Sequence, residues 1–205
     1  IPQGLGLVQH LEVNNSDPSY LEGFQKALRQ GCQVVFCAQL DHPDLLKLAV
    51  DAASAGHLVL GGMRTSSAAS TLDRMRTYFP EGQSRARFAR YISCIVSQDL
   101  LPRKDGGRVA SYEILQTNET VTQVIQRGGS HAELKEVFRK FSGDGMQSFY
   151  ADLNRLVKNG IVTEAEAIRL HPRATGEFKA MPEQAPASRD RVLEMDDSIA
   201  LEVMD

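Results

Sequence analysis

The sequence predicts an α/β fold with a largely parallel sheet, followed by a helical region. Three observations carry that expectation. Two short apolar runs, 33–38 and 57–60, have the uninterrupted character of strands buried on both faces. Segments with helical apolar spacing follow each run. The resulting order, strand, helix, strand, helix, is the alternation of a parallel sheet.

Each element has its own warrant. Gln33-Val34-Val35-Phe36-Cys37-Ala38 is the first strand. Pro43 suits the first turn of the next helix, where its missing N–H costs nothing. Leu45, Leu46, Leu48, Ala49, Ala52 and Ala53 give that helix one apolar face, and Gly56 stops it. His57 opens the second strand, and Gly61-Gly62 closes it. Thr65-Ser66-Ser67 are cap residues for a helix carrying Leu72, Met75 and Phe79, which ends before Pro80. Residues 82–98 read as a further helix, with Arg85, Arg87 and Arg90 along it and Phe88, Tyr91, Ile92 and Ile95 on its buried side.

The character then changes. Lys104-Asp105-Gly106-Gly107 is a turn between two β-prone runs, so 100–115 reads as a hairpin. Ser130-His131-Ala132-Glu133 and Thr163-Glu164-Ala165-Glu166 both have the form of a capping box. Residues 146–158 repeat apolar groups at helical spacing and end at Gly160. From Pro172 onward, prolines and small or charged residues read as a linker or disordered tail, with an acidic amphipathic stretch at 192–203. The expected organisation is an α/β core over 1–115, a helical region over 116–171 and an acidic tail over 172–205.

Composition excludes several classes. The chain has 205 residues, of which 42% are hydrophobic and 24% charged, so disorder of the whole is excluded. A net charge of −3 offers no general field for polyanions. Arg85, Arg87, Arg90, Arg103, Lys104 and Arg108 could make a local basic surface, diluted by Glu81 and Asp99. Nucleic-acid binding is therefore a minor reading. No apolar run approaches the ~18 residues of a membrane span, and the start lacks a signal peptide, so a cytoplasmic setting is expected. Cys32, Cys37 and Cys94 form no CxxC, which points away from zinc and from a disulfide framework. The chain opens on Ile rather than Met and is read as a fragment. It contains no GxxxxGK[ST] phosphate loop and no nucleophile elbow.

Three places could carry chemistry. His57 reads first as a half-buried structural histidine and second as a phosphate-adjacent group. Arg64-Thr65-Ser66-Ser67 could hold an anion at a helix start, or simply cap it. Asp41 and His42 lie past the end of a parallel strand, where ligand groups collect, although a loop cap is the plainer reading.

Residues 55–74, AGHLVLGGMRTSSAASTLDR, resemble the histidine-box segment of the PilT family, which reads roughly TGHLVFGTLHT-SAA-TIDR. PilT proteins are type IV pilus retraction ATPases within the GspE/PilB secretion motor class. Residues 96–103, 106–115, 145–148 and 156–163 resemble successive blocks of the same family, in order, so the resemblance runs from Leu7 to Leu170. It implies a RecA-like motor core lacking its Walker A strand and loop, then a C-terminal helical region. It also implies a hexameric ring that works with pilus or secretion machinery, on the cytoplasmic side and peripheral to the inner membrane. The missing strand would leave an unpaired edge or an exposed apolar face, and hence a partner or a second copy.

The departures fall on chemical positions. The family's glutamate after the second motor strand falls on Gln39, and the acid opening that strand falls on Gln33. In the acidic-box region, the family's arginine becomes Leu11 and the following arginine and aspartate become Asn15 and Ser16, while Glu12 keeps its charge. The first box histidine is kept as His57, and the second becomes Arg64. The AIRNLI segment falls on Thr120–Ile125 without its arginine. By resemblance, Glu12, His57, Arg64 and Thr65 lie near nucleotide. An amide can bind water but cannot take its proton. The expectation is a pseudo-ATPase that acts by assembly or regulation. It would have no cofactor of its own, with ATP and Mg²⁺ entering only if a nucleotide site survives in a longer chain. The alternatives are the C-terminal part of a working hexameric retraction ATPase, and a helical adaptor or nucleic-acid module.

Overall fold

A computed structural model describes residues 8, 10–13, 17–80 and 82–171. The chain runs α1 (Asp17–Arg29), β1 (Val34–Cys37), α2 (Pro43–Ser54), β2 (Leu58–Gly61), α3 (Ala68–Tyr78) and α4 (Gln83–Tyr91). It continues with β3 (Cys94–Pro102), β4 (Arg108–Gln116), α5 (Glu119–Arg127), α6 (His131–Lys140), α7 (Phe149–Lys158) and α8 (Glu164–Leu170). β1 and β2 pair in parallel, Val34 opposite Leu58 through Cys37 opposite Gly61. β3 and β4 form an antiparallel hairpin, Cys94 opposite Gln116 through Pro102 opposite Arg108.

Local chemistry starts and stops these elements where the sequence indicates. Pro43 opens α2, and the His42 ring accepts the Asp44 N–H at its start. Gly56, at φ 99°, turns the chain from α2 toward β2. Ser67 and Ser70 form a reciprocal capping box on α3. Ser130 and Glu133 form another on α6, and Glu133 is held below the ordinary carboxylate range by the Ser130 N–H. At α8 the Thr163 hydroxyl accepts the Glu166 N–H.

The predicted helix over 82–98 is wrong in its second half. α4 ends at Tyr91, and from Cys94 the chain is β3. Ile95, Ser97 and Leu101 face inward while Val96 and Leu100 face out, which is period two rather than 3.6. Tyr91 is consequently exposed, whereas Arg85 is buried, its Nε donating to the Phe79 carbonyl.

The two parallel strands are not buried on both faces. Val35 and Cys37 point into the core, but Val34 (54%), Phe36 (70%), Leu58 (56%) and Leu60 (49%) stay exposed. α1 and α2 pack against this pair, and they cover one face only. α1 itself was not anticipated, although Tyr20, Leu21, Phe24, Ala27 and Leu28 have helical spacing and reach the core.

Packing runs across position 115. One cluster gathers Phe24, Leu45, Leu46, Leu72 and Phe88 with Leu115, Val121, Ile125, Leu134 and Val137, so α5 and α6 share the α/β core. A second, smaller cluster joins Leu101 of β3 to Leu153 and Leu156 of α7 and to Val162 and Ala167. The tail from Pro172, expected as a linker, lies outside the described residues.

Two outcomes test this packing. Leu153→Ala, at a fully buried site, should lower unfolding free energy in urea by about 2–5 kcal/mol. Phe36→Ser should change it by no more than about 0.5 kcal/mol. Equal losses would contradict the exposed face. The hairpin turn gives a pH test. Arg103 holds Asp105 through bonds of 2.8 and 2.6 Å, which lowers the Asp105 carboxyl from 3.8 to about 2. The fold favours the ionised form, so its contribution is present above pH 3.8 and fades as pH falls toward 2. Asp105→Asn should flatten that part of the stability–pH curve.

Candidate functional site

Because β1 and β2 are parallel, their carboxyl ends emerge side by side. The backbones stay together beyond the strands: Gly62 N–H donates to the Cys37 carbonyl at 2.9 Å, and Leu40 N–H to the Gly62 carbonyl at 2.7 Å. This approach needs glycine, since a Cβ on Gly62 would collide with the Ala38 carbonyl oxygen. The loop of Gln39, Leu40 and Asp41 is thereby set against the loop of Met63, Arg64 and Thr65.

Asp41 organises this end of the sheet. Arg64 Nε donates to Asp41 Oδ2 at 3.2 Å. Arg74 of α3 faces Oδ1 at 3.6 Å, an ion contact too long for a hydrogen bond, and its other nitrogen donates to the Arg64 carbonyl at 3.2 Å. The Tyr78 hydroxyl donates to the Asp41 carbonyl at 3.0 Å. The Asp41 side chain is only 9% exposed, while that of Arg64 is 79% exposed. Thr65 is half-buried and bonded to the Thr71 hydroxyl at 2.6 Å, so it braces the start of α3.

The other candidate residues lie elsewhere. His57 and Gln33 sit at the amino-terminal end of the strands, about 13 Å away by strand rise. There His57 Nδ1 bonds the Cys32 carbonyl at 2.7 Å, and the Gln33 carbonyl accepts the Leu58 N–H at 2.9 Å. His57 thus clamps the strand starts together. Leu11 and Glu12 are exposed in a segment without regular secondary structure, whose Val13 abuts Gly23 of α1. Asn15 and Ser16 lie outside the described residues. Thr120–Ile125 falls on α5, with Val121, Val124 and Ile125 buried. The basic surface is thinned: Arg85 is buried, Arg87 pairs with Asp51 at 2.7 Å and Arg103 with Asp105. Burial pushes the Cys37 thiol up, away from a nucleophilic thiolate.

Two acids escaped the sequence reading. Glu113 of β4 accepts the Ala68 N–H at 2.7 Å, at the start of α3, and faces the Phe149 N–H, at the start of α7. Burial pushes its carboxyl up, and the two amides partly offset the rise. Asp152 of α7, almost wholly buried, accepts the Tyr112 N–H at 3.1 Å and two bonds from Arg155. The available signal for Glu113 was period two: Ser111, Glu113 and Leu115 share a face, and both neighbours are buried.

Parallel strands ending in paired loops, with flanking helices, form an α/β arrangement, and its likeness to solved motors makes it an α/β ATPase motor fold. The solved pilus retraction motor PilT with bound ADP shares it with a TM-score of 0.65 and 31% identity, over 75% of this chain and 44% of that one. The chain belongs to the type II/IV secretion system protein family, whose model matches residues 7–169, and its relatives are PilT-type. A twitching motility protein of Neisseria gonorrhoeae is 33% identical over 80% of this chain and 44% of its own length. The type IV pilus retraction ATPase PilT of Pseudomonas aeruginosa is 29% identical over 78% and 47%. The chain therefore spans less than half the length of these relatives.

The Asp41 anchor predicts an asymmetry. Asp41→Ala leaves two arginines without their buried partner and should cost about 1–3 kcal/mol in urea unfolding. Arg64→Ala removes an exposed side chain and should cost at most about 0.5 kcal/mol. The reverse order would overturn the anchor.

Proposed function

We propose that this chain is a PilT-like motor homologue that does not hydrolyse ATP by itself and acts through assembly or regulation. One observation carries the reading: among the described residues, the two loops at the carboxyl end of the sheet carry an amide at Gln39 and one acid, Asp41, whose Oδ2 accepts from Arg64 and whose Oδ1 faces Arg74 without a hydrogen bond. Hydrolysis of a nucleotide needs a group to orient the attacking water and acids to hold Mg²⁺. Two arginines beside Asp41 oppose a cation at its free oxygen, and Gln39 cannot accept a proton. The residues at this end therefore do not fit a magnesium nucleotide, and no catalytic step is assigned to them. Gln33 lies at the far end of its strand and supplies no charge there.

In this reading the chain works in a ring or beside an active motor, with pilus or secretion machinery as its partners. The exposed face of Val34, Phe36, Leu58 and Leu60 supports such contacts. Among the described residues no helix is long and apolar enough to cross a membrane. We place the chain in the cytoplasm, peripheral to the inner membrane. The expected division into a core over 1–115, a helical region over 116–171 and a tail remains part of the proposal.

A second reading has its own support. The relatives are about twice as long as the matched stretch, which fits part of a working hexameric motor whose phosphate-binding half lies outside these residues. Gln39 weighs against it.

Titration calorimetry with ATP and Mg²⁺, with phosphate release measured on the same sample, tests the proposal. The expected result is no release above background. Mg²⁺-dependent release that disappears in Gln39→Ala would overturn it.

A further inference from the structure

We propose that Glu113 couples the start of α3 to the start of α7, so that the loop carrying Arg64 and Thr65 and the C-terminal helices shift as one body. The coupling does not depend on whether nucleotide binds. Glu113 sits on the inward side of β4, and its carboxylate accepts the Ala68 N–H of α3 at 2.7 Å and faces the Phe149 N–H of α7. These amides lie 45 and 36 positions away in opposite directions along the chain.

Neither helix needs Glu113 as its cap. Ser67 already caps α3, accepting the Ser70 N–H, and Ser148 caps α7, accepting the Ala151 N–H at 3.2 Å. What Glu113 adds is the link between them. Each helix start carries partial positive charge, so a carboxylate between two of them is drawn to both. The link also crosses between cores: Ala68, Leu72 and Met75 of α3 belong to the larger cluster, while Leu153 and Leu156 of α7 belong to the smaller one.

α7 is tied to β4 a second time. Asp152 accepts the N–H of Tyr112, the residue next to Glu113. Gln147 adds a backbone bridge to Ile114 on the other side, at 2.7 and 3.0 Å. The start of α7 is therefore held to β4 at the residues on either side of Glu113. A displacement of the Arg64 loop that pulls on Ala68 must break the Glu113 bond or carry β4 and α7 with it.

The test is residue-resolved amide hydrogen exchange on the full chain. Ser67→Ala loosens α3 locally. It should speed exchange at Ala68–Thr71 by roughly tenfold, the loss of about one hydrogen bond. It should also speed exchange measurably at Phe149–Asp152. In a Glu113→Leu background, which removes both acceptor oxygens, the second effect should vanish while the first remains. Coupling is reciprocal, so Ser148→Ala should speed exchange at Ala68–Thr71 with Glu113 intact. That arm keeps the proposal testable if Glu113→Leu fails to fold. Effects confined to the mutated helix in both serine variants would overturn it, as would transmission undiminished in Glu113→Leu.

Discussion

The backbone contact at Gly62 is the constraint on which the functional end of this molecule depends. Two parallel strands of four residues each are too short to hold their following loops together by pairing alone. Continued hydrogen bonding through Cys37, Leu40 and Gly62 keeps the loops in register, and only a residue without a side chain permits it. Given that contact, Asp41 reaches Arg64, and Tyr78 and Arg74 of α3 close over the same loop. A buried acid thus serves as the meeting point of β1, β2 and α3.

This arrangement separates packing from chemistry. Positions that fill the core keep apolar character throughout the α/β segment, as Leu45, Leu46, Ala68 and Leu72 illustrate. The sheet end carries an amide and an ion network of Asp41, Arg64 and Arg74. His57, at the opposite end, spends its ring nitrogen on a backbone carbonyl. The side chains near the loops hold the loops themselves in place.

Much of the fold was legible because its punctuation is local. Pro43, Gly56, the Ser67 cap and the Ser130 capping box are set by neighbours within four residues, so they can be read from the chain alone. The failures have a common cause in long-range pairing. Residues 92–98 contain enough apolar groups for a helix, and only their partnership with 112–116 selects the strand. Burial of β1 and β2 on both faces failed because burial depends on what else is present, and α1 and α2 cover one side. Of the site, Arg64 was visible, but its commitment to Asp41 was not, since 23 residues and a strand crossing separate them. Glu113 was hidden for the same reason: its two partners come from distant helices.

The bare ribbon of Val34, Phe36, Leu58 and Leu60 also governs how the chain behaves in bulk. Its attraction to like surfaces is hydrophobic, so it strengthens with warming from the cold and with sulfate or phosphate salts, and weakens in modest urea. Colloidal stability of the isolated chain is then set by solvent composition more than by net charge, which at −3 supplies little repulsion. Whatever covers the ribbon in the cell sets how much of this chain can accumulate there.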